Sequence, residues 1–514
     1  MLLDLQEFSF LDVPGLIARH AQSDPEALAV IDGERRLDFH ALDALMDRVA
    51  AALQRDGLAP REAVALCGSS SADYLGVFLG ALRAGMAVAP LAPNATPAQL
   101  VDMVKDVGAR LLFVDAELRA PLQQAGLPPG VRLLSFRALS AWLARLGTRP
   151  VPVAIQPDWA FNVIYSSGTT GTPKGIVQSH AMRWNHIRRA AALGYGPQAV
   201  TLTATPLYSN TTLVSVLPAL STGGTVVLMG GKFDAARYLA LAAQHGATHT
   251  MLVPVQYQRL LAHEGFDGAD LSALTTRFCT SAPFHAALKA EVLRRWPGKL
   301  IEYYGMTEGG GTCILLAHEH PDKLHTVGQP SEGHDIRLID EDGREVLAGE
   351  MGAMGEIVGR SGAMMDGYHG QPAKTAEAEW FDSEGRRYIR TGDVGRFDAD
   401  GFLTLLDRRK DLIISGGFNV YPSDLEAVLR EHAAVAEAAV VGVPSQEWGE
   451  TPVAFVVLRS GAAADAEDIR SFVNGRVGKT QRLSALRLVA ELPRSAIGKV
   501  LKRELRDTWA APSS

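Results

Sequence analysis

The feature that most limits what this chain can fold into is an alternation of short apolar runs with helical patterns, repeated on both sides of one glycine-rich loop. Before the loop, residues 63–67, 87–90 and 111–114 read as strands, with helices over 72–84 and 97–107 between them. Earlier still, two helical patterns between 11 and 58 flank a short strand at 29–31, and Leu42, Leu45, Val49 and Leu53 keep one apolar face. After the loop, helix 180–193, strand 200–203, helix 211–220, strand 225–228, helix 234–245 and strand 250–253 repeat the pattern. Strands separated by helices form parallel sheets covered on their faces. Two doubly wound α/β halves are therefore expected, with ligands at the carboxyl ends of the strands. Residues 119–158 contain prolines and no clear period, and read as an irregular connection.

Beyond about residue 325 the texture changes to short strands and glycine turns, at 335–338, 341–343 and 355–358, which suits a small β-rich subdomain. From 411 onward short strands and helices alternate again, over a length that folds alone in many proteins. The expected fold is α/β, with a large N-terminal part over residues 1–409 and a small α/β domain over 410–514. The charged run 407–411 reads either as a hinge or as a solvated face.

The loop itself, 165–175, runs Tyr-Ser-Ser-Gly-Thr-Thr-Gly-Thr-Pro-Lys-Gly. Its glycines let backbone N–H groups approach an anion, its hydroxyls add donors and Lys174 adds positive charge, a composition that suits a polyphosphate. On composition alone a flexible surface loop is equally open. It is not the P-loop of the NTPases, in which Gly-Lys is followed by Ser or Thr and opens into a helix. Here Lys174 lies between Pro173 and Gly175, and residues 176–178 read as strand, as do 161–164 before the loop. Helical spacing begins only after Ser179, a plausible N-cap. The loop is thus expected to join two strands.

Composition bounds the function. A length of 514 residues holds roughly three domains. With 47% hydrophobic and 21% charged residues and no apolar run of bilayer length, the chain reads as a soluble protein without a transmembrane segment. A net charge of −7 with no basic stripe leaves no electrostatic footprint for nucleic acid. Residues 1–10 carry Asp4 and Glu7 and no basic region, so no signal peptide is expected and the location expected is cytoplasmic. Cys67, Cys279 and Cys313 are odd in number and widely spaced, which fits neither a disulfide framework nor a zinc site. His318-Glu319-His320 lacks the i, i+4 spacing of a zinc helix and reads as polar side chains facing solvent.

Five stretches in order resemble motifs of the adenylate-forming (AMP-binding) superfamily, in its acyl-CoA synthetase branch. Residues 165–175 resemble its phosphate loop, Tyr304-Gly305-Met306-Thr307-Glu308 its adenine and magnesium motif, and 388–393, ending Thr391-Gly392-Asp393, its ribose motif. Residues 407–411 through Gly416-Gly417 to Tyr421-Pro422 resemble its hinge region, and 493–499 its C-terminal lysine motif. The resemblance implies ATP, Mg²⁺ and coenzyme A as cofactors, a small-molecule carboxylic acid as partner, and a C-terminal domain that is mobile. A homodimer stays open.

It also implies roles. Thr169, Thr170 and Lys174 would cradle the β and γ phosphates, Thr307 would contact the α-phosphate, and Glu308 would hold Mg²⁺. Tyr304 and the turn Ser281-Ala282-Pro283 would border the adenine, with Asp393 on the ribose hydroxyls and Arg408 beside it. Lys499 would bridge the substrate carboxylate and the α-phosphate, and Lys410 matches the hinge residue. Gly416 and Gly417 would line a pantetheine tunnel, and Trp448 matches a residue that packs near coenzyme A in some relatives. Read singly, Tyr304 is equally a core aromatic, Asp393 a turn residue, Lys499 a surface lysine and Trp448 a core tryptophan.

Two departures bear on the acid. In Pro206-Leu207-Tyr208-Ser209-Asn210 the position where the family commonly has histidine is Ser209, which puts that histidine's gating role in doubt here. Residues 209–214 contain no acidic side chain to pair an α-ammonium, which favours an uncharged acyl chain over an amino acid. With Gly305, Gly309 and Gly310, Tyr208 to Asn210 form the expected substrate pocket, although the glycines serve a tight turn equally well. The expected activity is AMP-forming carboxylic acid–CoA ligation of a fatty, aromatic or alicyclic acid. The alternatives are an acyl-AMP ligase or stand-alone adenylation enzyme loading a carrier protein, a luciferase-like oxygenase, and a non-catalytic acyl or nucleotide-binding regulator.

Overall fold

A computed structural model describes residues 5–166, 174–296, 298–346, 353–408, 411–415, 418–446, 448–478, 481–495 and 498–510. Its contacts divide the chain into two units, Met1–Asp335 with Gly359–Ile389, and Ile336–Val358 with Arg390–Ser514.

The first unit contains two sheets. One has seven strands in the order Gly367–Tyr368, Lys174–Ser179, Ala160–Ser166, Ala87–Leu91, Ala63–Cys67, Leu111–Val114 and Arg132–Ser135. Ala63–Cys67 pairs in parallel with both Ala87–Leu91 and Leu111–Val114, and every residue of these three strands is buried. That is why they read as unbroken apolar runs, since helices cover both faces. Helix Ala72–Arg83 is capped by Ser71, whose hydroxyl accepts from Tyr74 N. It packs so closely on helix Phe39–Arg55 that a Cβ on Gly76 would stand 2.3 Å from Leu45 Cδ2, and one on Gly80 2.5 Å from Val49 Cβ.

The other sheet has nine strands, in the order Gln329–Pro330, Cys313–Leu316, Lys299–Tyr304, Thr276–Cys279, His249–Leu252, Val200–Thr203, Thr225–Leu228, Leu28–Asp32 and Arg35–Asp38. Its centre is parallel and its two ends close with antiparallel strands. Leu28–Asp32, which precedes the first alternation in sequence, pairs with Thr225–Leu228 of the second. Residues 119–158 are more regular than expected. Helix Ala116–Gln124 runs through Pro121, Arg132–Ser135 adds the sheet's edge strand, and helix Leu139–Trp142 follows. The proline and the partly exposed edge strand weaken the periodic signal there.

In the second unit, strand Asp335–Ile339 pairs antiparallel with Glu345–Val346, and Arg387–Phe397 pairs with Leu403–Arg408. A further sheet orders Phe418–Val420, Ile413–Ser415, Gly449–Leu458 and Val435–Ser445, with Ala485–Leu488 parallel to Gly449–Leu458. Alternate residues of the long strands feed two cores. Val440, Ala454 and Val456 join Leu425, Leu429, Ile469 and Val473, whereas Ala439, Val441, Val453 and Phe455 join Leu492 and Leu505. The period of two is what commits each strand face to its own helices.

Among the described residues no helix is long and apolar enough to cross a membrane. The three cysteines are free and buried.

Candidate functional site

The strands on either side of the glycine-rich loop, Ala160–Ser166 and Lys174–Ser179, pair antiparallel, with Tyr165 opposite Gly175 and Ser166 opposite Lys174. Residues 167–173, and with them Thr169 and Thr170, lie outside the described residues. The stem is anchored on its first strand by Tyr165, whose hydroxyl donates its one proton to Asp106 Oδ2 at 2.6 Å, with Met103 O also 3.1 Å away. On its second strand the segment 366–369 lies alongside. Gly367 and Tyr368 pair with Val177 and Ile176, Asp366 N donates to Val177 O, and His369 N donates to Gly175 O at 2.7 Å.

Tyr368 joins two of the expected site residues. Its ring lies 4.9 Å from Lys174 Nζ, a cation–π distance, and its hydroxyl donates to Glu308 Oε1 at 3.0 Å. Burial and the Glu308 carboxylate both push the phenol's pKa up, so it remains a donor. Met365 N donates to Glu308 O at 2.8 Å, fixing the backbone of the same residue. Gln178, pointing from the hairpin, donates through Nε2 to Thr307 O at 2.6 Å. Lys174, Thr307 and Glu308 are thus assembled by Tyr368 and Gln178, neither of which the motif reading identified. Gln178 sits three residues beyond the loop, where an amide following Ile176 and Val177 in a run read as strand was the available signal; in the structure it is fully buried.

Tyr304 ends strand Lys299–Tyr304, half-buried, and Gly305 follows it exposed. The turn at Ser281-Ala282-Pro283 is tied to its neighbours by hydroxyls. Thr280 Oγ1 donates to Tyr303 O at 2.9 Å, and Ser281 Oγ meets Thr211 Oγ1 at 2.6 Å. Ser281 holds φ +78°, a left-handed conformation that costs a non-glycine residue energy and that clusters at functional sites. Ser209, in the position where histidine was expected by resemblance, is the N-cap of helix Asn210–Ser221, its hydroxyl accepting from Thr211 N at 3.3 Å. Asn210 Oδ1 beside it is buried without a hydrogen-bond partner among the described residues. Tyr208 is half-buried, and burial raises its pKa.

The glycines after Glu308 differ in kind. Gly309 has φ +76°, and a Cβ there would lie 1.8 Å from Ala363 O; Gly310 has φ +83° and 2.9 Å to Gly359 O. Both allow the backbone of 359–363 to approach. Gly305 has no positive φ, and its nearest neighbour would be Thr312 Oγ1 at 3.3 Å.

The second unit holds the remaining described candidates. Asp393 stands opposite Arg408 in the strand pair, with its N–H donating to Thr391 Oγ1 at 3.0 Å while Thr391 Oγ1 donates to Ile357 O at 2.9 Å. Lys499 ends a tight turn. Gly498 takes φ +77°, Ser495 N donates to Lys499 O, Lys499 N donates to Ser495 Oγ, and Arg494 Nη1 donates to Gly498 O at 2.7 Å while pairing with Glu437. Trp448 is 46% exposed beside Gly449, so it is no core tryptophan. The side chain of Arg408 and residues Lys410, Gly416 and Gly417 lie outside the described residues.

Among the described residues no three His, Cys, Asp or Glu side chains converge as a metal site. Glu308 alone fits a hard cation that draws its other ligands from phosphate and water, which is how Mg²⁺ is commonly held.

The family profile described as AMP-binding enzyme matches residues 17–369, and that of the AMP-binding enzyme C-terminal domain matches 424–499. A fatty acid–[acyl-carrier-protein] ligase, ScoC of Streptomyces coeruleorubidus, is 33% identical over 507 residues, covering 96% of each chain. A feruloyl-CoA synthase of an Amycolatopsis species is 33% identical over 494 residues, covering 95% of this chain and 97% of that one. Among solved structures, ATP-bound MatB from Rhodopseudomonas palustris superposes with a TM-score of 0.86 at 28% identity, covering 97% and 99%.

Proposed function

The chain belongs to the AMP-binding enzyme family and is an AMP-forming, ATP-dependent acyl-adenylate ligase, and from that premise we propose that it activates a hydrophobic carboxylic acid for transfer to the thiol of coenzyme A. The observation that carries the reading is the meeting of Lys174 and Glu308 on Tyr368, which puts the cation of the phosphate loop and the carboxylate of the Tyr304–Glu308 motif on one side chain.

In the first half reaction a carboxylate oxygen of the acid attacks the α-phosphorus, and the bond from that phosphorus to the bridging oxygen breaks, releasing pyrophosphate. Negative charge gathers on the phosphate oxygens, so aimed donors and cations are the main catalytic resource. Lys174, with Thr169 and Thr170, holds the β and γ phosphates; Thr307 donates to the α-phosphate; Lys499 bridges the acid and the α-phosphate. Mg²⁺, when bound at Glu308, would supply charge neutralisation of the phosphate oxygens. Tyr304 and Ser281 to Pro283 border the adenine, and Asp393 takes the ribose hydroxyls with Arg408 beside it. In the second half reaction a thiol sulfur attacks the acyl carbonyl, the bond to the phosphate oxygen breaks, AMP leaves and the thiol proton goes to solvent. Gly416 and Gly417 line the passage for the pantetheine arm, Trp448, 46% exposed, packs near coenzyme A, and Lys410 is the hinge between residues 1–409 and 410–514. A homodimer and a cytoplasmic location complete the proposal.

The acid pocket is Tyr208 to Asn210 with Gly305, and without an acidic side chain at 209–214 it suits an uncharged fatty, aromatic or alicyclic acid. A carrier-protein thiol is the second acceptor to test, because the fatty acid–[acyl-carrier-protein] ligase is as similar to this chain as the feruloyl-CoA synthase. Acid-dependent pyrophosphate release, measured over a panel of fatty and aromatic acids with coenzyme A, with a phosphopantetheinylated carrier protein, or with neither, tests both. Thioester on coenzyme A is expected; thioester on the carrier protein alone would transfer the assignment, and no release with any acid would refute it.

A further inference from the structure

Arg183, on helix His180–Ile187, is 1% exposed, and nothing in the proposed reaction uses it. Its Nε and Nη2 both donate to Asn162 Oδ1 at 3.1 Å, and Nη2 donates to Gln178 Oε1. Its guanidinium lies 5.6 Å from the Phe161 ring centroid, and Nη1 is buried without a hydrogen-bond partner among the described residues. Burial pushes its pKa down to about 9, and no carboxylate among the described residues opposes that shift. A fully buried cation supported by two amides is a costly arrangement, which apolar residues of similar volume commonly replace without loss of stability.

The partners explain what the charge holds. Asn162 and Gln178 face each other across the pair of strands that flank the glycine-rich loop, one on each strand. Gln178 then carries the line onward, since its Oε1 accepts from Arg183 and its Nε2 donates to Thr307 O at 2.6 Å. Successive hydrogen bonds through one amide polarise each other, and a cation at the acceptor end makes the N–H a stronger donor.

We infer that Arg183 is a positioning residue: it staples the two strands of the hairpin through Asn162 and Gln178 and, through the Gln178 amide, fixes the carbonyl of Thr307, so that the phosphate loop and the Thr307–Glu308 segment keep one spacing. The inference rests on the functional reading above and adds to it a second layer that touches no substrate.

Gln178→Glu separates positioning from mere packing. It gives Arg183 a carboxylate, which the neighbouring guanidinium keeps ionised, and it removes the N–H that Thr307 O accepts. The expected result is an unchanged or higher melting temperature, acid-dependent pyrophosphate exchange lowered at least tenfold in kcat with the acid's KM within twofold, and faster amide hydrogen exchange in the peptide covering 305–309. Arg183→Met is expected to lower kcat similarly, and the double variant to lose no more than the worse single one, as residues acting as a unit do. Exchange within twofold of wild type in a folded Gln178→Glu variant, or single losses that multiply in the double, would overturn the relay. If Arg183→Met does not fold, the Gln178→Glu comparison decides alone. Wild-type protein that exchanges pyrophosphate with no acid would refute the functional reading, and hydrogen exchange at 305–309 would still decide the relay: unchanged protection there overturns it, faster exchange supports it.

Discussion

Tyr368 shows how much of a site can depend on one side chain outside every motif. Lys174 and Glu308 are legible from sequence because they lie within recognisable strings, whereas Tyr368 becomes relevant only when Gly367–Tyr368 pairs with the hairpin about 190 residues earlier in sequence. Its two contacts can be separated chemically. Tyr368→Phe keeps the ring 4.9 Å from Lys174 and removes the donor to Glu308 Oε1. Partners that orient a metal-binding carboxylate typically contribute about 10- to 100-fold in metal affinity. The Mg²⁺ concentration for half-maximal adenylation is therefore expected to rise about tenfold in Tyr368→Phe, with the acid's KM little changed. Titrating Mg²⁺, and separately Mn²⁺ binding in the presence of a non-hydrolysable ATP analogue, checks this; an unchanged metal requirement would remove Tyr368 from the site's support. Ser209 carries the opposite lesson. The substitution at a family position was visible in sequence, but its role as a helix N-cap appears only from the backbone geometry at residue 211.

Among elements, the segment after Glu308 separates backbone demand from pocket shape. Three glycines in a row gave no way to choose between a tight turn and an open wall, because the choice depends on what lies opposite. Residues 359–363 lie there, and Ala363 O would meet a Cβ on Gly309 at 1.8 Å. Gly309→Ala, with both positive φ and that collision, is expected to destabilise by roughly 2 to 5 kcal/mol, read as a lowered midpoint in urea. Gly305→Ala is expected to fold normally, and Gly305→Val to lower kcat/KM for ring-bearing acids more than for straight-chain acids, a comparison the acid panel makes directly. Equal stability of the two alanine variants would contradict the close approach. The central strands were readable for a related physical reason: burial on both faces leaves no polar position to blur them, whereas the edge strand Arg132–Ser135 and the helix through Pro121 carry mixed signals. Which sheet a strand joins is not written in its own residues. Leu28–Asp32 reads like its neighbours in sequence yet pairs with Thr225–Leu228.

Across the whole molecule, folding holds several imidazoles neutral, and that sets an acid limit. Burial pushes His180 down to about 4 and His334 to about 4, with Arg189 adding to the latter. His186 falls to about 3 through burial, with Arg183, His334 and Arg189 contributing. A base with a lowered folded pKa binds its proton more tightly when unfolded, so stability is intact above the ordinary histidine value and is lost as pH falls through roughly 6.5 towards 4. Glu302, raised to about 7 by burial against the opposing pull of Lys289, acts in the other direction, as do Asp366 and Asp424, which burial raises, while His245 and His249, which burial lowers, join the larger histidine group. The melting temperature is expected to fall steadily from pH 7 to pH 4.5, and His186→Asn to flatten the slope; a flat profile in the wild type would contradict the neutral assignment. The two half reactions make a second demand on the whole chain, because adenylation reacts at the α-phosphorus and thiol transfer at the acyl carbon of the same bound acid, and the two centres need different groups. Lys499 follows Gly498, whose carbonyl accepts from Arg494 Nη1 while Arg494 pairs with Glu437, and the proposal gives its ammonium a part in one step alone. Lys499→Ala leaves that backbone turn its donors, so the loss it causes reports the ammonium alone. Acid-dependent pyrophosphate exchange is expected to fall at least a hundredfold, about 2.7 kcal/mol in the barrier, while thioester formation from supplied acyl-adenylate and coenzyme A falls less than threefold. Equal losses in both assays would mean that the lysine serves both steps, and that one arrangement of the chain performs the whole reaction.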